Sequence, residues 1–184
     1  LPTYKAVKSK LNEPIPLGYC NVGTVLKSNS KNFLKGERVV SNGYHSSIVN
    51  VSQNLCAKIP ETVSDEEASF TILGAIALQG VRLSNPTIGE NFVVIGLGPI
   101  GLITVQLLLA NGCNVLALDK DKQRLDLAAR FGAKIFDLSS DDSLYDLTNS
   151  FSEGYGIDSV IIAASTRSNQ TIDIAAKMSR KRGR

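Results

Sequence analysis

The chain has 184 residues, 43% apolar and 20% charged, with 15 glycines and 6 prolines. That length and balance suit one domain or a domain with part of a second, and they exclude collagen-like, proline-rich, low-complexity and disordered classes. The formal charge is +3, but Lys177, Arg180, Lys181, Arg182 and Arg184 place five positive charges in the last eight residues, so the preceding chain carries a net −2 (+3 less the tail's +5).

The opening LPTYKAVKSK lacks the apolar run of about 7–15 residues that a signal peptide needs, and it has no initiator Met, so the start is expected to be processed or cut. Residues 19–60 read as β-rich and turn-rich, with strands expected over Val22–Leu26, Arg38–Val40 and Ser47–Val51. Ser64-Asp65-Glu66-Glu67 fits a capped helix start. The Ser64 hydroxyl can accept the Glu67 N–H while the Glu67 carboxylate reaches back, ahead of the apolar stretch Phe70–Leu78. Ser84-Asn85-Pro86 then marks a break.

Beyond Pro86 strand and helix alternate, which predicts an α/β fold with a parallel sheet and crossover helices. Strands are expected over Phe92–Ile95, Asn114–Leu118, Lys134–Phe136 and Asp158–Ala163. Helices are expected over Pro99–Ala110, Lys122–Phe131, near Asp142–Ser150, and over Asn169–Ser179. The 28 uncharged residues from Asn91 to Leu118 exceed the roughly 20 that cross a bilayer. Gly96, Gly98, Pro99, Gly101 and Asn111-Gly112 nevertheless cut that stretch into strand, turn, helix and strand, so no membrane segment is expected. Cys20, Cys56 and Cys113, spaced 36 and 57 apart, match neither a disulfide framework nor a metal knuckle. They point to thiols in a reducing compartment, the cytoplasm.

Gly96-Leu97-Gly98-Pro99-Ile100-Gly101 is a G-x-G-x-x-G turn between an expected strand and an expected helix. Gly96 permits the tight turn, Gly98 lets a pyrophosphate approach the backbone, and Gly101 allows close helix–strand packing. The helix N-terminus offers unpaired N–H groups and its positive dipole end to phosphate, and Pro99 is tolerated in the first turn because a missing N–H matters least there. The turn alone is weak evidence. Asp119, 18 residues after Gly101 at the end of the next strand, can accept hydrogen bonds from adenosine ribose hydroxyls, and the combination is much stronger. The competing structural reading is a tight turn that binds nothing, with Asp119 capping the next helix. The charge of Asp119 favours NAD over NADP, while Lys120 and Lys122 blur that preference.

The order of Gly18-Tyr19-Cys20-Asn21-Val22-Gly23, Lys35-Gly36-Glu37-Arg38-Val39-Val40, Ile59-Pro60, the helix around Ala68, Gly96 to Gly101, and Phe131-Gly132-Ala133 resembles the medium-chain dehydrogenase/reductase superfamily, with its zinc-type alcohol dehydrogenases and quinone reductases. More narrowly, PLGYCNVGTV, GERVVSNG and ASTRSN resemble a subgroup in which such a module precedes a second oxidoreductase domain in proteins of polysaccharide metabolism. The resemblance implies a partial, β-rich GroES-like catalytic domain over residues 1–84 and a Rossmann NAD(P)-binding domain over 85–184. Both look incomplete, so the chain is expected to be a fragment, inactive alone, with Lys177–Arg184 left as an exposed basic tail. It also implies cofactor-ring contacts at Ala164 and Ser165. Where zinc members carry Gly-His-Glu this chain has Gly18-Tyr19-Cys20, and Ala75 stands near a later family ligand. With fewer than the three protein donors that zinc requires, no zinc is expected.

His45 reads as a solvated loop histidine, Cys20 as a packing thiol, and Tyr19 as a core or strand-face residue rather than a proton donor. Asp142 and Asp158 read as a helix start and a strand edge, and no catalytic residue is assigned. The expected activity is zinc-independent hydride transfer between NAD(H) and a small-molecule alcohol, aldehyde, ketone or sugar derivative. The alternative is an NAD-sensing or docking module without turnover. The basic C-terminal residues lack the interleaved aromatics of a nucleic-acid site, so neither nucleic acid nor membrane is expected as partner, and a homo-oligomer is left open.

Overall fold

The computed structural model describes residues 16–166 and 168–184. The chain divides into two compact units, one ending at Ile72 and the other running from Leu73 to Arg184.

The first unit is built on an antiparallel sheet ordered β1 (Asn21–Thr24), β2 (Arg38–Ser41) and β3 (Cys56–Lys58). Val40 pairs with Val22 on one side and Ala57 on the other. Ser47–Val51, despite its alternation, is not the expected strand; Cys56–Lys58 takes the place beside β2. The capping box forms as read: the Glu67 N–H donates to Ser64 Oγ at 3.2 Å and the Ser64 N–H donates to Glu67 Oε2 at 2.9 Å. Helix α1 (Asp65–Ala68) then stops after one turn, and α2 (Thr71–Ser84) starts afresh.

The second unit carries a parallel sheet ordered β6-β5-β4-β7, formed by β4 (Asn91–Ile95), β5 (Asn114–Asp119), β6 (Lys134–Asp137) and β7 (Ser159–Ile162). Its crossover helices are α3 (Pro99–Ala110), α4 (Lys122–Arg130) and α5 (Leu144–Phe151), and α6 (Gln170–Met178) follows β7. Successive strand residues point to opposite faces. Phe92, Val94, Val115 and Ala117 pack with Val105 and Leu108 of α3 and Leu125 and Ala128 of α4. Val93, Ile95, Leu116 and Leu118 pack with Phe136, Met178 and the apolar sides of α5 and α6. This is the doubly wound, Rossmann-like arrangement, and burial on both faces explains the uncharged run from Asn91 to Leu118. Among the described residues no helix is long and apolar enough to cross a membrane.

Lys177–Arg184 leaves Lys177, Lys181, Arg182 and Arg184 exposed, as expected, but it is not a free tail. The Val160 N–H donates to the Arg184 carbonyl and the Arg184 N–H to the Asp158 carbonyl, both at 2.9 Å. Arg180 pairs with Asp158 and Arg184 with Glu90. The outer edge of β7 offers backbone partners that a free tail would have to find in water, and two acids supply countercharge. Asp158 also accepts the Asn91 N–H at 2.7 Å, at the start of β4.

Candidate nucleotide-binding site

The C-terminal ends of β4, β5 and β7 converge on the glycine turn. Gly96 follows β4 with φ +94°, a left-handed conformation that favours glycine, and a Cβ there would fall 2.7 Å from the Ala164 nitrogen. At Gly101, in the first turn of α3, a Cβ would lie 1.9 Å from the Gly96 carbonyl oxygen. These two glycines are required by the protein's own packing. Gly98 is different: its φ of −65° and ψ of −178° suit any residue, and a Cβ would point into open space. Nothing in the fold demands glycine at 98, so the bare backbone there fits a group approaching from outside, as pyrophosphate does in dinucleotide sites.

Gly98 is the N-cap of α3 and gives it no side-chain cap; its carbonyl accepts the Leu102 N–H at 2.9 Å. The first turn of a helix has N–H groups without intrahelical acceptors. Pro99 removes one of them, leaving Ile100 and Gly101 to face an anion together with the positive end of the helix dipole. Leu97 is placed otherwise: its side chain is buried in the core, and its N–H donates to Asp119 Oδ2 at 2.6 Å.

Asp119 closes β5 with its carboxylate well engaged. Oδ1 accepts the Lys120 and Asp121 N–H groups at 2.7 and 3.0 Å. Burial by itself raises the pKa of Asp119, but the backbone donors Leu97, Asp121 and Lys120, with Arg124, outweigh it and hold the carboxyl below the usual range. The cap of α4 belongs to Asp121, whose Oδ1 accepts the Gln123 N–H at 2.9 Å and the Arg124 N–H at 3.3 Å, rather than to Asp119. The Lys120 and Lys122 side chains are exposed beside the site. Sequence reasoning missed Arg124, whose guanidinium lies 4.0 Å from Asp119 Oδ2 and 3.4 Å from Asp121 Oδ2. Its signal is the spacing: a residue three beyond an N-cap returns to the capped end of the helix. Ala164 abuts Gly96, and Ala164 and Ser165 lie exposed just past β7.

In the first unit, Tyr19 is about half exposed and Cys20 half buried. The exposed His45 ring lies over Gly18, where a Cβ would sit 2.2 Å from His45 Nε2, and the His45 N–H donates to the Leu17 carbonyl at 2.8 Å. Among the described residues no group of three or more His, Cys, Asp or Glu is placed to hold a metal ion.

Comparisons with known proteins converge on one class of enzyme. Residues 99–184 match the zinc-binding dehydrogenase family. Among curated relatives, (R,R)-butanediol dehydrogenase of Bacillus subtilis is 34% identical over 103 residues, covering 55% of this chain and 30% of the relative. A probable D-xylulose reductase A of Emericella nidulans is 37% identical over 82 residues, covering 44% of the chain and 23% of the relative. The crystal structure of the Bacillus subtilis butanediol dehydrogenase superposes with a TM-score of 0.79 at 25% identity, over 95% of this chain and 58% of that one. Escherichia coli quinone oxidoreductase, solved with NADPH, shares the fold with a TM-score of 0.78 at 23% identity, over 96% of this chain and 57% of that one. The chain thus spans less than two thirds of the length of the proteins it matches.

Proposed function

The chain belongs to the medium-chain dehydrogenase/reductase superfamily, and from that premise we propose that it is the nucleotide-binding portion of a zinc-independent oxidoreductase using NAD(H). The observation that carries the reading is Gly98: an unstrained glycine facing open space at an uncapped helix N-terminus, beside an ionised Asp119. Residues 85–184 form the Rossmann domain in this reading, and 1–84 belong to a GroES-like catalytic domain. The N–H groups of Ile100 and Gly101 hold the pyrophosphate, Asp119 accepts from the adenosine ribose, and Ala164 and Ser165 lie along the path to the nicotinamide. Bound there, the nicotinamide supplies hydride donor or acceptor chemistry, and the protein positions it and limits water.

The substrate is a small alcohol, aldehyde, ketone or sugar derivative; the butanediol and xylulose relatives support a polyol-like compound. NAD is preferred to NADP because the Asp119 carboxylate repels a 2′-phosphate. The free thiols of Cys56 and Cys113 support a cytoplasmic protein. Calorimetric titration of the chain with NAD and NADP tests the reading, with tighter NAD binding expected; absence of binding to either overturns it. Metal analysis tests the zinc statement, which stoichiometric, tightly held zinc would refute. A second reading, an NAD-binding module without turnover, draws on Tyr19 and Cys20 standing where zinc members carry His and Glu. Binding with no NADH oxidation across sugars, aldehydes and quinones in the full-length protein would favour it.

A further inference from the structure

We propose that Asp119 is a positioning residue for the phosphate-binding turn: its carboxylate holds Leu97, so that pyrophosphate binding depends on Asp119 apart from any contact with ribose. This rests on the nucleotide-binding reading above and adds to Asp119 a role that does not involve the ribose.

The backbone carries the argument. The Gly96 N–H donates to the Leu118 carbonyl at 2.8 Å, a last rung between the chain leaving β4 and the end of β5. The positive φ of Gly96 then swings the chain out of the sheet, and the next N–H, on Leu97, turns to a side chain, Asp119 Oδ2 at 2.6 Å. Asp119 therefore adds one rung where the strand backbone has run out. The Leu97 side chain is fully buried against the core that holds Val94, Val105 and Leu108, so this residue is fixed at both its backbone and its side chain. Gly98, the residue facing open space, comes next and takes its position from Leu97.

Acceptor capacity sharpens the point. A carboxylate has about four acceptor positions. Three are taken by the N–H groups of Leu97, Lys120 and Asp121, leaving about one, on the Oδ2 that also serves Leu97. Ribose contact and turn support thus share one oxygen. Asparagine cannot replace this set, because its single carbonyl oxygen serves one side of the group and its NH2 then faces N–H donors on the other.

The test compares the unsubstituted chain with Asp119→Asn, using backbone amide exchange and titration with inorganic pyrophosphate, which has no ribose. A role confined to ribose or to charge predicts unchanged or tighter pyrophosphate binding in the variant, since a negative charge near an anion site is removed. The positioning role predicts the opposite sign. Exchange at the Leu97 amide should rise about tenfold or more, as expected for losing a hydrogen bond to a charged group. Pyrophosphate affinity should fall several-fold, while the Phe92–Ile95 amides keep their protection. Unchanged Leu97 exchange, or pyrophosphate binding that holds or tightens while NAD binding weakens, overturns the proposal. If neither NAD nor pyrophosphate perturbs the Gly96–Gly101 amides of the unsubstituted chain, the nucleotide reading fails, and Leu97 exchange still decides whether Asp119 holds the turn. Should the variant not fold, the unsubstituted chain decides: the Leu97 amide proton shift should follow protonation of the Asp119 carboxyl on acidification, and an amide shift indifferent to that protonation refutes the role.

Discussion

The two units bury their large apolar side chains unequally. In the second, Phe92, Leu97, Leu108, Leu116 and Leu118 are wholly buried, although Leu83 and Ile88 stay exposed, whereas among the described apolar residues of the first only Val40 and Ala68 are buried, and Leu17, Leu26, Leu34 and Ile48 are each more than half exposed. The first unit is instead tied by polar contacts: Ser41 Oγ donates to Asn21 Oδ1 at 2.6 Å, Asn21 Nδ2 donates to the Tyr44 carbonyl at 2.9 Å, and Arg38 and Lys58 pair with Asp65 and Glu37. A parallel sheet covered on both faces carries its own core, and a three-stranded sheet with exposed leucines does not. The glycine turn and Asp119 are therefore mounted on the part of the chain that is best packed, as a phosphate site needs if its donors are to stay aligned.

The largest expected effect tests that contrast directly. Phe92→Ala should cost about 3–5 kcal/mol, the usual range for deleting a fully buried aromatic ring, while Leu34→Ala should stay within about 0.5 kcal/mol. Urea unfolding followed by circular dichroism measures both, and equal losses would mean that the two units do not differ in the way their burial indicates.

Next in size is a pair of glycine substitutions that separates architecture from binding. Gly101→Ala should destabilise by about 3 kcal/mol, because its Cβ meets the Gly96 carbonyl and backbone must shift. Gly98→Ala should change stability by no more than about 1 kcal/mol, since alanine is a poorer N-cap than glycine but also restricts the unfolded chain. It should nonetheless weaken NAD binding by about tenfold or more, as the new methyl occupies the approach to the helix N-terminus. A stable Gly98→Ala variant with full NAD affinity would place the phosphates elsewhere.

The same contrast governs what was legible in the sequence. Beyond Pro86 the strands and helices fall within a residue or two of expectation, because the central strands β4 and β5 are buried on both faces, their apolar runs are bounded by glycine or by a helix cap, and the shorter edge strands β6 and β7 keep the same alternation with helices. Before it, Ser47–Val51 alternates as convincingly as β3 does, yet the pairing with β2, which alternation does not reveal, goes to Cys56–Lys58. The glycine turn and Asp119 were readable from spacing. The bond from Leu97 to Asp119 was not, since it joins residues 22 apart through a turn whose φ no composition reveals. Arg180 and Arg184 looked like surplus charge because their partners Asp158 and Glu90 are remote in sequence.

Smaller effects probe the polar ties. Ser64→Ala should cost about 1 kcal/mol through loss of the hydroxyl that caps α1. Thermal unfolding should register it in the first unit alone, leaving the protection of the Phe92–Ile95 amides untouched; a loss spread across both units would show that they unfold together.

The smallest effect is expected at Glu90. The Arg184 hydrogen bond lowers its pKa most, burial opposes, and the Thr87 N–H adds to the lowering, so the carboxyl sits below its ordinary value. Arg184 remains over a third exposed, and solvent screening limits such a pair to less than about 1 kcal/mol. A depressed acid stabilises the fold above its unfolded pKa of about 4.3 and loses that contribution as pH falls through the lower native value. Glu90→Gln should therefore be slightly less stable than the parent at neutral pH and equal to it once both side chains are neutral in acid. The gap should also narrow with added salt, though less than for Lys58–Glu37, whose lysine is more exposed. Urea midpoints at neutral and strongly acid pH measure this. A gap that survives acidification would mean that the Arg184 ion pair is not what Glu90 contributes, leaving the bond from the Thr87 N–H, which glutamine can still accept, and the side chain's packing as its remaining roles.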